Sequence, residues 1–225
     1  MTEGEFVSLI CRMLCQDLIP IQDMRKFTSN NDLYGAFAEA RVRQFVRRFV
    51  APLRVSHGAI AHEGNCGEGI STPQIDTIIW QPSPVPAIFE ADDFAIVPRG
   101  SAVAYMEIKS TPYSLAAVLS IAKCLALERE LLFEVGASGN TGYSRSLGVF
   151  CYTKEPISEE VQGLIDRKEA VILLDISGGT QTVRVQDVTL FAQFLGLIRL
   201  EAKLLDGKAG MTQPGEGIML RQLKP

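Results

Sequence analysis

Two short runs in this sequence place charged side chains where chemistry would need them. In Met106-Glu107-Ile108-Lys109-Ser110 a carboxylate and an ammonium stand two residues apart, so on a β-strand both leave the same face. In Gln74-Ile75-Asp76-Thr77-Ile78-Ile79-Trp80 a second carboxylate, Asp76, interrupts a run of strand-forming residues. A carboxylate inside an apolar strand is costly unless it is paired or bound. If the two strands pair, Asp76 and Glu107 can share one divalent cation, with the Ile108 carbonyl as a further oxygen. Phosphodiester cleavage needs such a group, because charge builds on the scissile phosphate and a water must arrive in line with it. A hard Mg²⁺ on two carboxylates meets both needs. Lys109 would hold the water or stabilise the phosphorane-like charge. The plainer reading of Glu107 and Lys109 is an exposed strand edge, and spacing alone leaves both open.

Other chemistries find less support. His57 and His62 are the only histidines, which leaves little room for a His-rich metal site. Cys11, Cys15, Cys66, Cys124 and Cys151 contain no C-x-x-C pair and read as reduced thiols, with Cys11 and Cys15 on one helical face as core residues. No G-x-S-x-G is present, which argues against a serine hydrolase. Gly136, Gly139 and Gly142 lack the Lys-Ser/Thr ending of a phosphate loop, and Gly178-Gly179 reads as a turn.

The chain of 225 residues carries 22 basic and 26 acidic side chains, net −4. There is no global basic field, so any contact with nucleic acid must come from a local patch or from assembly. At 47% hydrophobic and 21% charged the composition is globular. No run reaches the roughly 18 apolar residues of a membrane span, and no signal peptide is recognised at the N-terminus. The expectation is a soluble, cytoplasmic protein.

The elements that would position the charged runs follow from periodicity. Phe6, Ile10, Leu14 and Leu18 recur every four residues and predict an N-terminal helix ended by Pro20. A second helix is expected over 33–50, with Ser29, Asn30 and Asn31 as capping candidates. Strands are expected over 74–80, 87–90, 94–97 and 102–109, then a helix over 113–133 opened by Pro112. Leu115, Val118, Leu119, Ala122 and Leu125 are its expected buried stripe. Strands over 147–152 and 170–176 flank a helix over 158–167, and a last helix covers 188–205. His57 and His62 fall in a strand-and-turn region. This order predicts an α/β fold with a mixed sheet.

Three further features each admit two readings. Glu39 can join the acidic site or pair with Arg43 one helical turn away. Arg41, Arg43, Arg47, Arg48 and Arg54 can face phosphate or form a solvated helix face. Lys123 can point back to the site or snorkel from its helix.

Taken in order, these segments resemble the PD-(D/E)xK nuclease superfamily, and within it the NucC-type endonucleases. The resemblance rests on Gly35-Ala36-Phe37-Ala38-Glu39 continuing to Val50, Pro52-Leu53-Arg54, Pro73-Gln74-Ile75-Asp76, Phe94-Ala95-Ile96-Val97-Pro98, and Ser101 through Glu107-Ile108-Lys109. It covers residues 33 to 130. It implies a restriction-endonuclease-like mixed sheet flanked by helices, in one domain over 1–225 with an N-terminal helix and a C-terminal helical extension. It also implies a Mg²⁺-dependent endonuclease for double-stranded DNA, acting in antiphage defence. In this family homotrimers bind a cyclic oligoadenylate, typically cyclic triadenylate, and pair into hexamers. Carried over by residue, Asp76 and Glu107 would be metal ligands and Lys109 the catalytic lysine. Arg54 would lie in the second-messenger pocket. A nuclease of the same fold gated by a protein partner or by DNA alone is the alternative, as is a non-catalytic binding module.

Overall fold

The computed structural model describes residues 3–63, 69–83, 85–133 and 145–209. Among the described residues nine strands form one mixed sheet: β1 (Arg54–Glu63), β2 (Gly69–Ser71), β3 (Ile75–Trp80), β4 (Phe89–Ala91), β5 (Phe94–Pro98), β6 (Ala102–Lys109), β7 (Ser146–Thr153), β8 (Ala170–Asp175) and β9 (Thr182–Val183). Their order is β4-β5-β1-β3-β6-β7-β8-β9, with β2 paired to β1. β6, β7 and β8 run parallel, while β3 pairs antiparallel with both β1 and β6. Parallel strands need helical crossovers, and α3 (Leu115–Glu128) and α4 (Glu159–Asp166) supply them. Helices α1 (Glu3–Met24), α2 (Asn31–Val50) and α5 (Val185–Ala209) complete the fold.

Period-two alternation sorts the two faces of the sheet. Met106 and Ile108, with Val149, Cys151, Val171 and Leu173, share a core with α1, α2 and α5. Phe150, Ala170 and Ile172 pack instead with Ala117 and Ile121 of α3 and Val161 and Leu164 of α4. A third cluster joins Trp80, Ile78 and Tyr105 to Cys124, Leu131 and Leu132. Gly58 sits where β1 shifts register against β3, with φ +144°, and a Cβ there would lie 1.9 Å from the Ala95 carbonyl oxygen. Only glycine fits that crossing.

Several expectations meet corrections. Pro20 does not end α1, which continues to Met24. The proline removes one backbone hydrogen bond, but Leu14, Leu18 and Ile21 form a fully buried stripe across it, and that packing holds the helix. The stripe of α3 is Ala117, Ile121, Cys124 and Glu128, whereas Leu115 and Leu119 are exposed. This helix is apolar on most sides, so periodicity could not select its inner face. Asn30 does cap α2, accepting from the backbone N–H groups of Asp32 and Leu33. His57 and His62 both lie on the single long strand β1. Cys66, Gly136, Gly139 and Gly142 lie outside the described residues, as do the Cys11 and Cys15 side chains. Among the described residues, no helix is long and apolar enough to cross a membrane.

Candidate active site

The site forms where the ladder between β3 and β6 runs out. Thr77 pairs with Met106. One step beyond, the Ile108 N–H donates to Asp76 Oδ2 at 2.8 Å, so a side chain closes the last rung. Asp76 is thereby fixed beside β6, as strand pairing required. Tyr105 and Glu107 leave one face of β6: the Tyr105 hydroxyl donates to the Cys124 carbonyl of α3, and Glu107 also reaches α3. Lys109 Nζ lies 2.6 Å from Glu107 Oε1 and 3.7 Å from Asp76 Oδ2. Asp76, Glu107 and Lys109 therefore form one cluster.

Ser120, which sequence reasoning missed, belongs to it. Its hydroxyl donates to Glu107 Oε1 at 2.6 Å. Gly148 makes this reach possible. It stands abreast of Glu107 on β7, and a Cβ there would come within 2.6 Å of the Ile121 side chain. The bare backbone lets α3 settle close to the sheet, bringing the residue before Ile121 against Glu107. A signal was available: Ser120 is the sole hydroxyl residue in α3.

The arginines of α2 behave differently from a phosphate-facing patch. Arg43 is buried; it donates to the Asp76 carbonyl at 2.6 Å and to Asp93 Oδ2 at 2.9 Å. Arg47 donates to the Val55 carbonyl and also pairs with Asp93. Arg48 pairs with Asp17 at 2.8 Å. Arg41 remains on the outside, over the Phe37 ring. Three of the four helix arginines thus join α2 to neighbouring elements. Arg54 is half-exposed, paired with Glu90 and 5.5 Å above the Trp80 ring. Glu39 does pair with Arg43, at 3.6 Å, and it also feels Lys109 and Glu107. Burial raises its carboxyl above the ordinary range despite the arginine. Lys123 is exposed, and among the described residues no hydrogen bond or ion pair ties it to the cluster. His57 packs edge-on to Phe94, with its pKa lowered by burial and by Arg43 and Arg47.

The electrostatics of the cluster are dominated by its carboxylates. Burial, then the Glu107 and Glu39 charges, push Asp76 up to about 7, against the opposing pull of Lys109 and the Ile108 N–H. Burial pulls Lys109 down, but the surrounding carboxylates outweigh it and its pKa ends above the usual lysine value. With Arg43 shared between Glu39 and Asp93, one ammonium does not balance Asp76 and Glu107. A divalent cation would. Asp76, Glu107 and the Ile108 carbonyl are hard oxygen donors suited to Mg²⁺ or Mn²⁺. Among the described residues no three His, Cys, Asp or Glu side chains gather as a metal-holding group. Two carboxylates with most of the shell left to water and phosphate oxygens is the pattern Mg²⁺ favours.

This sheet, with its acidic pair and lysine at the end of a central strand, has the restriction-endonuclease-like fold. Solved structures narrow the likeness to NucC. NucC of P. aeruginosa ATCC27853, in its cAAA-bound form, aligns with TM-score 0.59 at 12% identity, over 89% of this chain and 92% of that one. NucC of E. coli MS115-1 aligns in its cAAA-bound form with TM-score 0.56 and 11% identity, over 95% and 99%. Its apo form gives 0.51 and 12%, over 95% and 100%. At these identities the likeness is one of fold. No protein-family model and no curated protein matches the sequence.

Proposed function

We propose that this protein is a Mg²⁺-dependent endonuclease that cuts double-stranded DNA, a cytoplasmic antiphage effector switched on by a cyclic oligoadenylate. The observation that carries the reading is the gathering of Asp76, Glu107 and Lys109 at the end of β6 on a NucC-like fold. Asp76 and Glu107, with the Ile108 carbonyl, would hold the cation. When bound, Mg²⁺ would supply charge neutralisation at the scissile phosphate and acidify a water. Lys109 carries a fixed positive charge, held by its carboxylate neighbours, and would place it against the attacking water or the phosphate oxygens. Arg43 holds the backbone of Asp76 from behind, so the carboxylate need not reorganise to meet substrate.

Arg54 supports the activator half of the reading. Its guanidinium lies half-exposed over an indole and is held by Glu90. A phosphate of a cyclic oligonucleotide would compete with Glu90 for it, and two of the NucC structures are cAAA-bound. The net charge of −4 favours a DNA groove completed only by assembly, here homotrimers pairing into hexamers. The test is supercoiled plasmid with Mg²⁺, with and without a panel of cyclic oligoadenylates. The reading predicts cutting with one cyclic ligand, the trimeric adenylate foremost. Cutting that needs no ligand would keep the nuclease and discard the activator. No cutting under any condition would overturn this reading in favour of a nuclease gated by a protein partner or a non-catalytic module.

A further inference from the structure

We infer that Ser120 is a positioning residue for the cation site: it holds Glu107 in place so that Lys109 is free to leave Glu107 and serve the reaction. The inference rests on the nuclease reading above. Two donors converge on one oxygen, Glu107 Oε1: the Ser120 hydroxyl and Lys109 Nζ, each at 2.6 Å. Among the described residues no hydrogen bond falls on Oε2, which is therefore the oxygen offered to a cation. Lys109 cannot be the permanent anchor of Glu107, because its ammonium must turn toward water or phosphate for catalysis. Once it turns, Oε1 loses a charged donor, and the carboxylate would be left to rotate about its terminal torsion. Ser120 prevents that rotation. It sits on a different element, so its grip does not depend on the lysine's position. Close packing of Ile121 over Gly148 fixes the height of α3 at this point. A hydroxyl donor also suits a cation ligand, because it satisfies one oxygen without adding a positive charge that would repel the metal.

The test compares wild type with Ser120→Ala and Ser120→Thr. Apparent Mn²⁺ affinity, read by calorimetry on the DNA-free protein, should fall about tenfold in Ser120→Ala, the usual scale for loss of a partner to a metal ligand. Ser120→Thr keeps the hydroxyl and should restore most of that loss. Thermal unfolding in EDTA should barely separate the three proteins, since a structural role alone would move it. Cleavage by Ser120→Ala should lose kcat at saturating Mg²⁺, with KM for DNA unchanged. Wild type that binds Mn²⁺ beside a Ser120→Ala variant of equal affinity and equal kcat would overturn the role of Ser120 alone. A wild-type protein that binds no Mn²⁺ would overturn the nuclease reading, and this inference with it.

Discussion

Replacing Asp76 by asparagine should stabilise the metal-free protein at neutral pH. Asparagine imitates the protonated acid: it keeps an oxygen for the Ile108 N–H and carries no charge. In the folded protein the Asp76 carboxyl is pushed from 3.8 to about 7. A tenfold change in proton affinity is worth about 1.36 kcal/mol, so keeping this group ionised costs the fold about 4 kcal/mol. The sign follows from proton binding. Between pH 4 and 7 the folded chain holds a proton that the unfolded chain has released, so wild-type stability falls as pH rises through this window. The asparagine variant lacks that slope. The difference between the two should be near zero at pH 4, grow to about 4 kcal/mol by pH 8, and amount to about 10 °C in Tm for a chain of this size. Urea unfolding in EDTA at a series of pH values reads it directly. Adding Mg²⁺ should then stabilise wild type, by about 2.7 kcal/mol at a hundredfold excess over Kd, and leave the variant where it was. A variant less stable than wild type at pH 8, or a difference independent of pH, would refute the electrostatic reasoning.

Two further outcomes follow from the scaffold. Arg43→Ala strips donors from the buried Asp76 carbonyl and from Asp93 and should cost about 3 kcal/mol of stability by denaturant titration. Gly148→Ala pushes a methyl group against Ile121; it should cost about 1–3 kcal/mol and lower cleavage in the same direction as Ser120→Ala.

The sequence made the cluster legible because its cost is local. An aspartate within Ile75–Trp80 and a Glu-x-Lys at a strand end are anomalous on any strand, whatever surrounds them. The cap at Asn30 and the order of the main strands were equally local. What stayed hidden depended on partners far along the chain. Arg43 looks like one more solvated helix arginine until Asp93, fifty residues later, arrives beside it. Ser120 looks like a polar residue on an apolar helix, because its role depends on which side of α3 faces Gly148. The inner stripe of α3 is hidden from periodicity for the same reason. β1 reads weakly because Ser56, His57, Gly58 and His62 dilute its alternation, although the strand lies inside the sheet, between β5 and β3.

On the proposed function, Asp76, Glu107 and Lys109 are the groups that cut DNA. Its most direct test is plasmid cleavage by Glu107→Ala and Lys109→Ala beside wild type, under conditions in which wild type cuts, with circular dichroism and oligomer size as controls. Both variants should keep the wild-type fold and assembly and lose cleavage by about a hundred- to a thousandfold. Cutting at the wild-type rate by correctly folded Glu107→Ala would contradict it.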